Sequence, residues 1–467
     1  MTWRRGAAVG AACWLALALR TPALGAETAA APRFTPAELA RILRMAPLPA
    51  LPPDPSNAVA DDPRAARLGR RLFFDPRLSA DGRRSCASCH DPARGWTDGR
   101  PASDPENRFA RNAPSLWNTA YNRWYFWDGR ADSAWAQALG PLEGEAELGS
   151  NRLRLLHRVR TEPELASAYG EVFGPLPEGT GDPDRFPPDA RPLPRAPEHP
   201  LQQAWARMSE SDQHQANVVF TNLGKALAAF ERTLAVRDTA LDRYVVRVRS
   251  GGDPAAAGEL SPAAVRGLEL FVGRGQCTLC HSGPLLSDGE FHDVGIALAA
   301  DFRSVDPARH RGALELLQSP FTRVGPYADA ADPGAPVQFL ETRSEQLGQF
   351  KTPSLRGVAD TAPYMHDGRF ATLEEVVRFY DTRQGAAPLG HPTTLLQPLH
   401  LTEEEVADLV AFLESLTHRR PEGIEPLGSV TLPGRRTCRE DTSARFAGST
   451  RQRDREPGAG GLVCQRG

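Results

Sequence analysis

The sequence of 467 residues has no long run of charge of one sign. Lys and Arg together number 55 and Asp and Glu 58, which gives a formal net charge of −3. Because no Lys/Arg-rich stretch is present, the chain offers no basic surface of the kind that nucleic acid requires. We therefore expect no nucleic-acid partner.

Long apolar runs are also missing. The longest, residues 7–19, follows two arginines and is shorter than the ~20 residues that span a bilayer. Small residues suited to cleavage come next, so residues 1–26 are typical of a secretory signal peptide. A single anchoring helix is the alternative. We expect an exported, periplasmic chain with no membrane span once the signal is removed.

Cysteine is scarce, with seven residues in the chain. Cys13 falls in the predicted signal, and Cys438 and Cys464 fall near the C-terminus, where nothing in the sequence decides whether they pair. An exported protein could use its cysteines for disulfide bonds, but the other four form two C-x-x-C-H units, which argues against that use here.

These two units are Cys86-Ala-Ser-Cys89-His90 and Cys277-Thr-Leu-Cys280-His281. In c-type haem attachment, two thiols form thioethers to the haem vinyl groups and the adjoining His is an axial iron ligand. A shared four-cysteine zinc site is the alternative, but zinc does not require a His after each pair. The pattern therefore predicts two covalently bound haem c groups.

The surroundings of the two units repeat. A Pro-Ser-Leu turn follows each, in "RNAPSLWN" at 111–118 and "FKTPSLRG" at 350–357, and an Asp-Gly-Arg turn comes next. From Pro114 to Asp128 is 14 residues, as it is from Pro353 to Asp367. We interpret this as two cytochrome c-like haem domains related by internal duplication, mostly α, with irregular loops.

The predicted domains are residues 27–240 and 241–420, and we expect disorder in the polar tail, 421–467. Residues 303–349 form an insertion in the second domain. Capping boxes at Thr372 and Thr402 predict helix starts in that domain.

The repeat allows the sixth iron position to be compared between the halves. Thirteen residues after Asp367 lies Tyr380, and thirteen after Asp128 lies Pro141. A tyrosine phenolate can ligate ferric haem, whereas a proline side chain has no donor atom. No His lies between His90 and residue 157, and no Met between His90 and residue 208. We predict an open or water-bound first haem and a six-coordinate second haem.

Two alternatives exist for this position in the second half. Tyr380 could be a core residue with a satisfied hydroxyl, and Met365 could be the ligand instead.

Five segments together resemble the bacterial di-haem cytochrome c peroxidase superfamily. They are "LFFDPRLSADGRRSCASCH", "RNAPSLWN", "FWDGRA", "FKTPSLRGVADTAPYMHDGRFATLEEVVRFY" and "LTEEEVADLVAFL", and the resemblance covers roughly residues 60–417. The chain is more similar to the MauG-like branch, because Tyr380 stands where other members place a Met ligand to the second haem.

The resemblance implies roles for matching residues. The proximal ligands are His90 and His281, and Tyr380 is the distal ligand of the second haem. The remaining assignments are Trp127 as electron relay between the haems, Gln137 and Glu147 in the peroxide pocket, and Asn112, Thr361 and Pro363 as calcium ligands. A carboxylate can shuttle the proton that O–O cleavage requires, and calcium prefers amide and carbonyl oxygens.

One departure from the family pattern concerns the loop after the first haem site. Other members carry a His there, which caps the iron until the second haem is reduced. The equivalent stretch, "DPARGWTDGRPASDPENRFARN", contains none, so we expect the first site to be open as made.

The resulting leading hypothesis is a periplasmic di-haem peroxidase that reduces hydrogen peroxide at the first haem. Its donor would be a small cytochrome c or a cupredoxin, and a homodimer is compatible with the sequence. The first alternative is peroxide-dependent oxidation of Trp or Tyr side chains on a partner protein, as in the MauG-like branch. The second is a non-catalytic di-haem electron carrier.

Overall fold

The computed structural model of the chain describes residues 33–103, 111–256, 258–296, 306–384, 393 and 395–418. The predicted signal peptide, the predicted tail and Cys438 and Cys464 lie outside these ranges. In the described ranges, no helix combines the length and apolar character needed to cross a bilayer.

Helices make up nearly all of the regular secondary structure of the described residues, which agrees with the predicted mostly α class. The only sheet among them pairs two short antiparallel strands, β1 (Phe291–His292) and β2 (Phe350–Lys351). The helices are α1 (Pro36–Arg44), α2 (Pro63–Phe74), α3 (Ala134–Glu143), α4 (Arg152–Thr161), α5 (Pro163–Phe173), α6 (Pro200–Arg207), α7 (Glu210–Glu231), α8 (Ala240–Arg249), α9 (Pro262–Val272), α10 (Ala308–Leu317), α11 (Leu373–Thr382) and α12 (Glu403–Glu414).

Local sequence explains where these helices begin. Asp62 and Ser261 cap α2 and α9, and each is followed by a proline, whose fixed φ suits the first helical position. The predicted capping boxes at Thr372 and Thr402 are confirmed at the starts of α11 and α12. In each, the carboxylate of the Glu three residues later accepts a hydrogen bond from the backbone N–H of the Thr.

Two large hydrophobic cores organise the chain. The first is built mainly on α2, α3, α4 and α7, and the second on α8, α9 and α12. Helix α1 belongs in sequence to the predicted first domain, yet its Ile42 and the adjoining Met45 are buried in the second core. The chain therefore begins, in its described part, by packing against its own second half.

Both cores contain a helix crossing that only glycine permits. A Cβ at Gly69 of α2 would lie 1.8 Å from the carbonyl oxygen of Ala226 in α7. A Cβ at Gly267 of α9 would lie 1.9 Å from the carbonyl oxygen of Asp408 in α12. The backbones touch at these points, so any side chain would force the helices apart.

An aromatic pair next to each crossing shows which residues of the two halves correspond. Phe73 contacts Phe230 with ring centroids 5.2 Å apart, and Phe271 contacts Phe412 at 5.0 Å. In each pair, one aromatic residue lies four positions after the crossing glycine, and the other lies four positions after the residue whose carbonyl the glycine contacts. Helix α7 thus corresponds to α12 residue by residue in this region.

The halves meet through reciprocal backbone hydrogen bonds. The N–H of Asn112 donates to the carbonyl of His366 (2.8 Å), and the N–H of Lys351 donates to the carbonyl of Trp127 (2.9 Å). Asn112 and Lys351 are 239 positions apart, as are Trp127 and His366. Each half therefore supplies a donor to the Asp-Gly-Arg turn of the other.

Candidate active site

The histidines of the two C-x-x-C-H units are held in the same way. Nδ1 of His90 lies 3.0 Å from the carbonyl oxygen of Trp96, and Nδ1 of His281 lies 2.9 Å from that of Leu286. A ring whose Nδ1 donates to a carbonyl presents its Nε2 lone pair to a metal. Both rings are thus prepared for axial ligation.

The repeated Pro-Ser-Leu turn explains how those carbonyls are kept in place. The hydroxyl of Ser115 donates to the carbonyl of Gly95 (2.6 Å), and the hydroxyl of Ser354 donates to that of Leu285 (2.7 Å). Each acceptor immediately precedes the residue that holds the histidine. Sequence reasoning identified the turn as a repeat but missed this role, because the contact joins residues 20 and 69 positions apart.

The four cysteines are unpaired thiols, partly buried in two separate places. Burial raises the pKa of both Cys86 and Cys277 to about 12, which keeps them as thiols at neutral pH. In the described part of the chain, the one group of metal-ligating side chains is Cys280, Asp288 and His292. The cysteines are therefore not gathered as the shared zinc site would require, and they fit separate thioether attachment instead.

The sixth-position residues lie at matching points of two helices. Pro141 is the eighth residue after Ser133, the N-cap of α3, and Tyr380 is the eighth after Thr372, the N-cap of α11. Burial and then the nearby Cys280 raise the pKa of the Tyr380 phenol. Tyr380 therefore lies beside the second attachment site, while the matching helix of the first half presents a side chain without a donor.

Gln137 lies on the same helix as Pro141, one turn earlier, so both belong to one helical face. Glu147 lies on the exposed loop after α3. Burial, Asp98 and then Glu147 raise the pKa of the Cys89 thiol, which places the Glu147 carboxylate near the first attachment site.

That loop is tied to the segment that precedes the first attachment site. Arg84 donates from Nη1 to the carbonyl of Ala146 (2.8 Å), and the N–H of Ala80 donates to the carbonyl of Leu148 (2.8 Å). These two bonds bracket Glu147. The sequence did not identify Arg84 as a residue that positions the carboxylate.

Trp127 lies where the halves meet. Its indole Nε1 donates to the carbonyl of Asn112 (2.9 Å), and its ring contacts that of His366 with centroids 6.4 Å apart. Ala308 and Phe350 from the second half pack against it. Its position between the halves agrees with the role that the resemblance implies.

The predicted insertion covers the turn that follows Trp127. Arg309 of α10 donates from Nη1 to the carbonyl of Gly129 (2.8 Å), and its guanidinium lies 4.1 Å from the ring centroid of Phe291. A Cβ at Gly312 would lie 2.1 Å from the carbonyl oxygen of Asp128. Helix α10 therefore fixes the turn by close backbone contact, which the sequence did not indicate.

The three predicted calcium ligands lie on adjoining segments. The Asn112 amide donates from Nδ2 to the carbonyl of Arg100 (2.8 Å), which leaves its side-chain oxygen for a cation. Across the boundary, a Cβ at Gly95 would lie 3.0 Å from Cγ2 of Thr361. Pro363 lies three residues before His366, whose carbonyl accepts a hydrogen bond from the Asn112 N–H.

Comparison with known proteins agrees with this geometry. The family model described as di-haem cytochrome c peroxidase matches residues 63–250. The chain is 36% identical to the cytochrome-c peroxidase IdrP1 of Denitromonas iodatirespirans, over 80% of this chain and 87% of that protein. It is 31% identical to the methylamine utilization protein MauG of Methylorubrum extorquens, over 79% of this chain and 81% of that one.

A solved structure shows the same fold. The diheme peroxidase BthA from Burkholderia thailandensis superposes with a TM-score of 0.55 at 26% identity, covering 79% of this chain and 89% of that chain. The chain belongs to the di-haem cytochrome c peroxidase family, which confirms the resemblance and the predicted class of peroxidase-type oxidoreductase. Membership implies haem c as the cofactor. The roles of individual residues stay predictions.

Proposed function

We propose that the chain is a periplasmic peroxidase that reduces hydrogen peroxide at a haem carried by Cys86 and Cys89. Electrons enter through a second haem on Cys277 and Cys280. The observation that carries this proposal is the matched pair of helix positions at which the first half has Pro141 and the second half has Tyr380.

We infer that the two halves arose by internal duplication, with domains near residues 27–240 and 241–420. The paired glycine crossings, the Ser-to-carbonyl bonds and the constant offset of 239 positions across the turns support this origin. The packing of α1 against the second core means that the first domain contributes a helix to its neighbour.

The chain's own residues supply what peroxide reduction needs besides the iron, which the bound haem provides. Reduction of H₂O₂ to two waters consumes two electrons and two protons. Glu147 moves a proton between the two peroxide oxygens, and Gln137 orients them by hydrogen bonding. The bonds from Arg84 and Ala80 limit the positions that the Glu147 loop can take, so the carboxylate meets the peroxide in a defined geometry.

Trp127 carries electrons between the halves in this proposal. Its indole is fixed by a hydrogen bond to the carbonyl of Asn112 and by packing against Phe350, which limits the positions that the ring can take. The donor is a small cytochrome c or a cupredoxin. A calcium ion held by Asn112, Thr361 and Pro363 would brace the boundary where Trp127 lies.

A second candidate is oxidation of Trp or Tyr side chains on a partner protein. Tyr380 favours it, because a phenolate ligand stabilises higher oxidation states of iron. The segment "FVGRGQCTLC" beside the second attachment site contains no Trp or Tyr to carry electrons out, which favours the first proposal.

The test uses the full-length protein with both haems attached. We expect the resting electron paramagnetic resonance spectrum to show one high-spin and one low-spin ferric haem. Addition of peroxide should oxidise two equivalents of reduced cytochrome c per peroxide. Two low-spin haems and no turnover would instead identify an electron carrier, whereas crosslinked or hydroxylated residues on a partner protein would support the second candidate.

A further inference from the structure

A buried carboxylic acid near the end of α7 has no role in the mechanism above. Glu231 is 5% exposed, and its Oε2 has no hydrogen-bond partner among the described residues. The adjoining Arg232 pairs with Asp61 (2.6 Å) and not with Glu231. A buried polar group without a partner costs free energy, so its presence calls for a functional reason.

Glu231 lies beside the first haem attachment site. Phe230, the preceding residue, packs at 6.0 Å from Trp96, whose carbonyl holds the ring of His90. Burial and then the charge of Glu231 raise the pKa of the Cys86 thiol. The carboxyl group is thus close enough to the attachment site to interact electrostatically with the group bound there.

The matching position of the second half is apolar. The aromatic pairs place Phe230 opposite Phe412 in the register of α7 and α12, so Glu231 corresponds to Leu413. Leu413 is buried in the second core. The same position is therefore apolar next to the electron-entry haem and ionisable next to the haem at which peroxide is reduced.

The protonation state of Glu231 depends on charge nearby. Burial alone raises its pKa to about 8, and no cation opposes that shift. The titratable and charged groups around it are Cys86, which becomes a neutral thioether on haem attachment, the Tyr125 phenol and the Arg232–Asp61 pair. The other charges that can vary there belong to the bound haem, on its iron and on its two propionate groups.

We propose that Glu231 is a redox-linked proton site for the first haem, which binds one proton as that iron gains one electron. Ferric haem carries one more positive charge than ferrous haem and so favours the carboxylate. One electron from the donor and one proton from water convert ferric iron and carboxylate to ferrous iron and carboxylic acid, so the charge of the buried region does not change. The proposal rests on the proposed function only in requiring a haem on Cys86.

The test is a spectroelectrochemical titration of the protein with both haems attached, from about pH 6 to pH 9. The signal that changes in Tyr380→Phe identifies the second haem. We expect the midpoint potential of the first haem to fall as pH rises from the lower end of this range, and to level off once the pH is high enough for the carboxyl group to be ionised in both oxidation states. In Glu231→Gln and in Glu231→Leu, which copies the second half, this fall should disappear while the second haem is unaffected.

Glu210→Gln is the matched control, because Glu210 is exposed at the opposite end of the same helix. It should leave the pH dependence unchanged. A first haem whose potential still falls with pH in Glu231→Gln, or a change of equal size at both haems, would overturn the proposal. Two low-spin haems in the resting spectrum would reject the open peroxide site. The pH dependence of the potential of the first haem could still be compared between the unmodified protein and Glu231→Gln.

Discussion

The two halves of the molecule share their framework and differ in the side chains that it presents. Both have a glycine at the helix crossing, a serine that fixes the loop over the histidine, and a helix N-cap five residues after the Asp-Gly-Arg aspartate. They differ at three matched positions, where the first half has Pro141, Glu231 and Trp127 and the second half has Tyr380, Leu413 and His366. Residues that determine the backbone are repeated, whereas these three positions, to which we assign chemical roles in the proposals above, are not.

The largest effect should come from breaking what the halves share. Gly69→Ala and Gly267→Ala should each lower the free energy of unfolding by about 3 kcal/mol, because the new methyl group overlaps a carbonyl oxygen and the helices must separate. Chemical denaturation of the protein with both haems attached measures this. The control is Gly170→Ala, where nothing lies within 4 Å of the added carbon and helix propensity should raise stability by up to ~1 kcal/mol. Equal stability of the three variants would show that the crossings are not close contacts.

A second test gives the first half the donor that it lacks. Pro141→Tyr should place a phenol where Tyr380 stands in the second half, close the open iron and lower peroxide turnover at least 100-fold, or about 2.7 kcal/mol in barrier. The high-spin signal should disappear. Pro141→Ala, which adds no donor, should keep both. Retention of full activity in Pro141→Tyr would mean that the two helix positions do not face equivalent iron sites.

The reverse change should have a smaller effect. Tyr380→Phe removes the phenol oxygen but leaves the peroxide site intact, so we expect about a tenfold loss of turnover, or ~1.4 kcal/mol. Electron paramagnetic resonance should show loss or alteration of the low-spin signal. An unchanged spectrum would leave Met365 as the ligand to test, by Met365→Leu.

The smallest expected effect concerns the contact between α10 and the turn that follows Trp127. Arg309→Met keeps an unbranched apolar stem but removes the guanidinium and its bond to Gly129, so Trp127 should be less well fixed. We expect a three- to fivefold slower oxidation of the second haem after peroxide addition in stopped-flow absorbance, with no change in the KM for peroxide. Arg311→Met, on the exposed face of the same helix, should have no effect. Equal rates for the two variants would limit Arg309 to a structural role.

Sequence predicted those features that depend on short spacing. The C-x-x-C-H units, the capping boxes at Thr372 and Thr402, and the repeated turns are all local, so their physical meaning can be derived before the chain is folded. The mostly α class followed from them. The assignment of Tyr380, Trp127, Gln137, Glu147 and the calcium ligands came from resemblance and stays a prediction, although the structure places Tyr380 and Glu147 near the expected cysteines.

Features that depend on contact between distant segments were not predictable in this way. Nothing in the sequence of α1 indicates that Ile42 packs into the second core, because an amphipathic helix can cover either one. Nor does α7 share a motif with α12, so the correspondence between Glu231 and Leu413 emerges only from the aromatic pairs at the two crossings.

The crossed amide bonds from Asn112 and Lys351 bear on how such a protein can evolve. Because each half supplies a donor to a carbonyl of the other, deletion of either half would remove a hydrogen bond from the turn of the half that remains. Selection then acts on the fused pair as a single gene product. That dependence would allow matching positions of the two halves, such as Pro141 and Tyr380, to diverge, since the two halves are always inherited together.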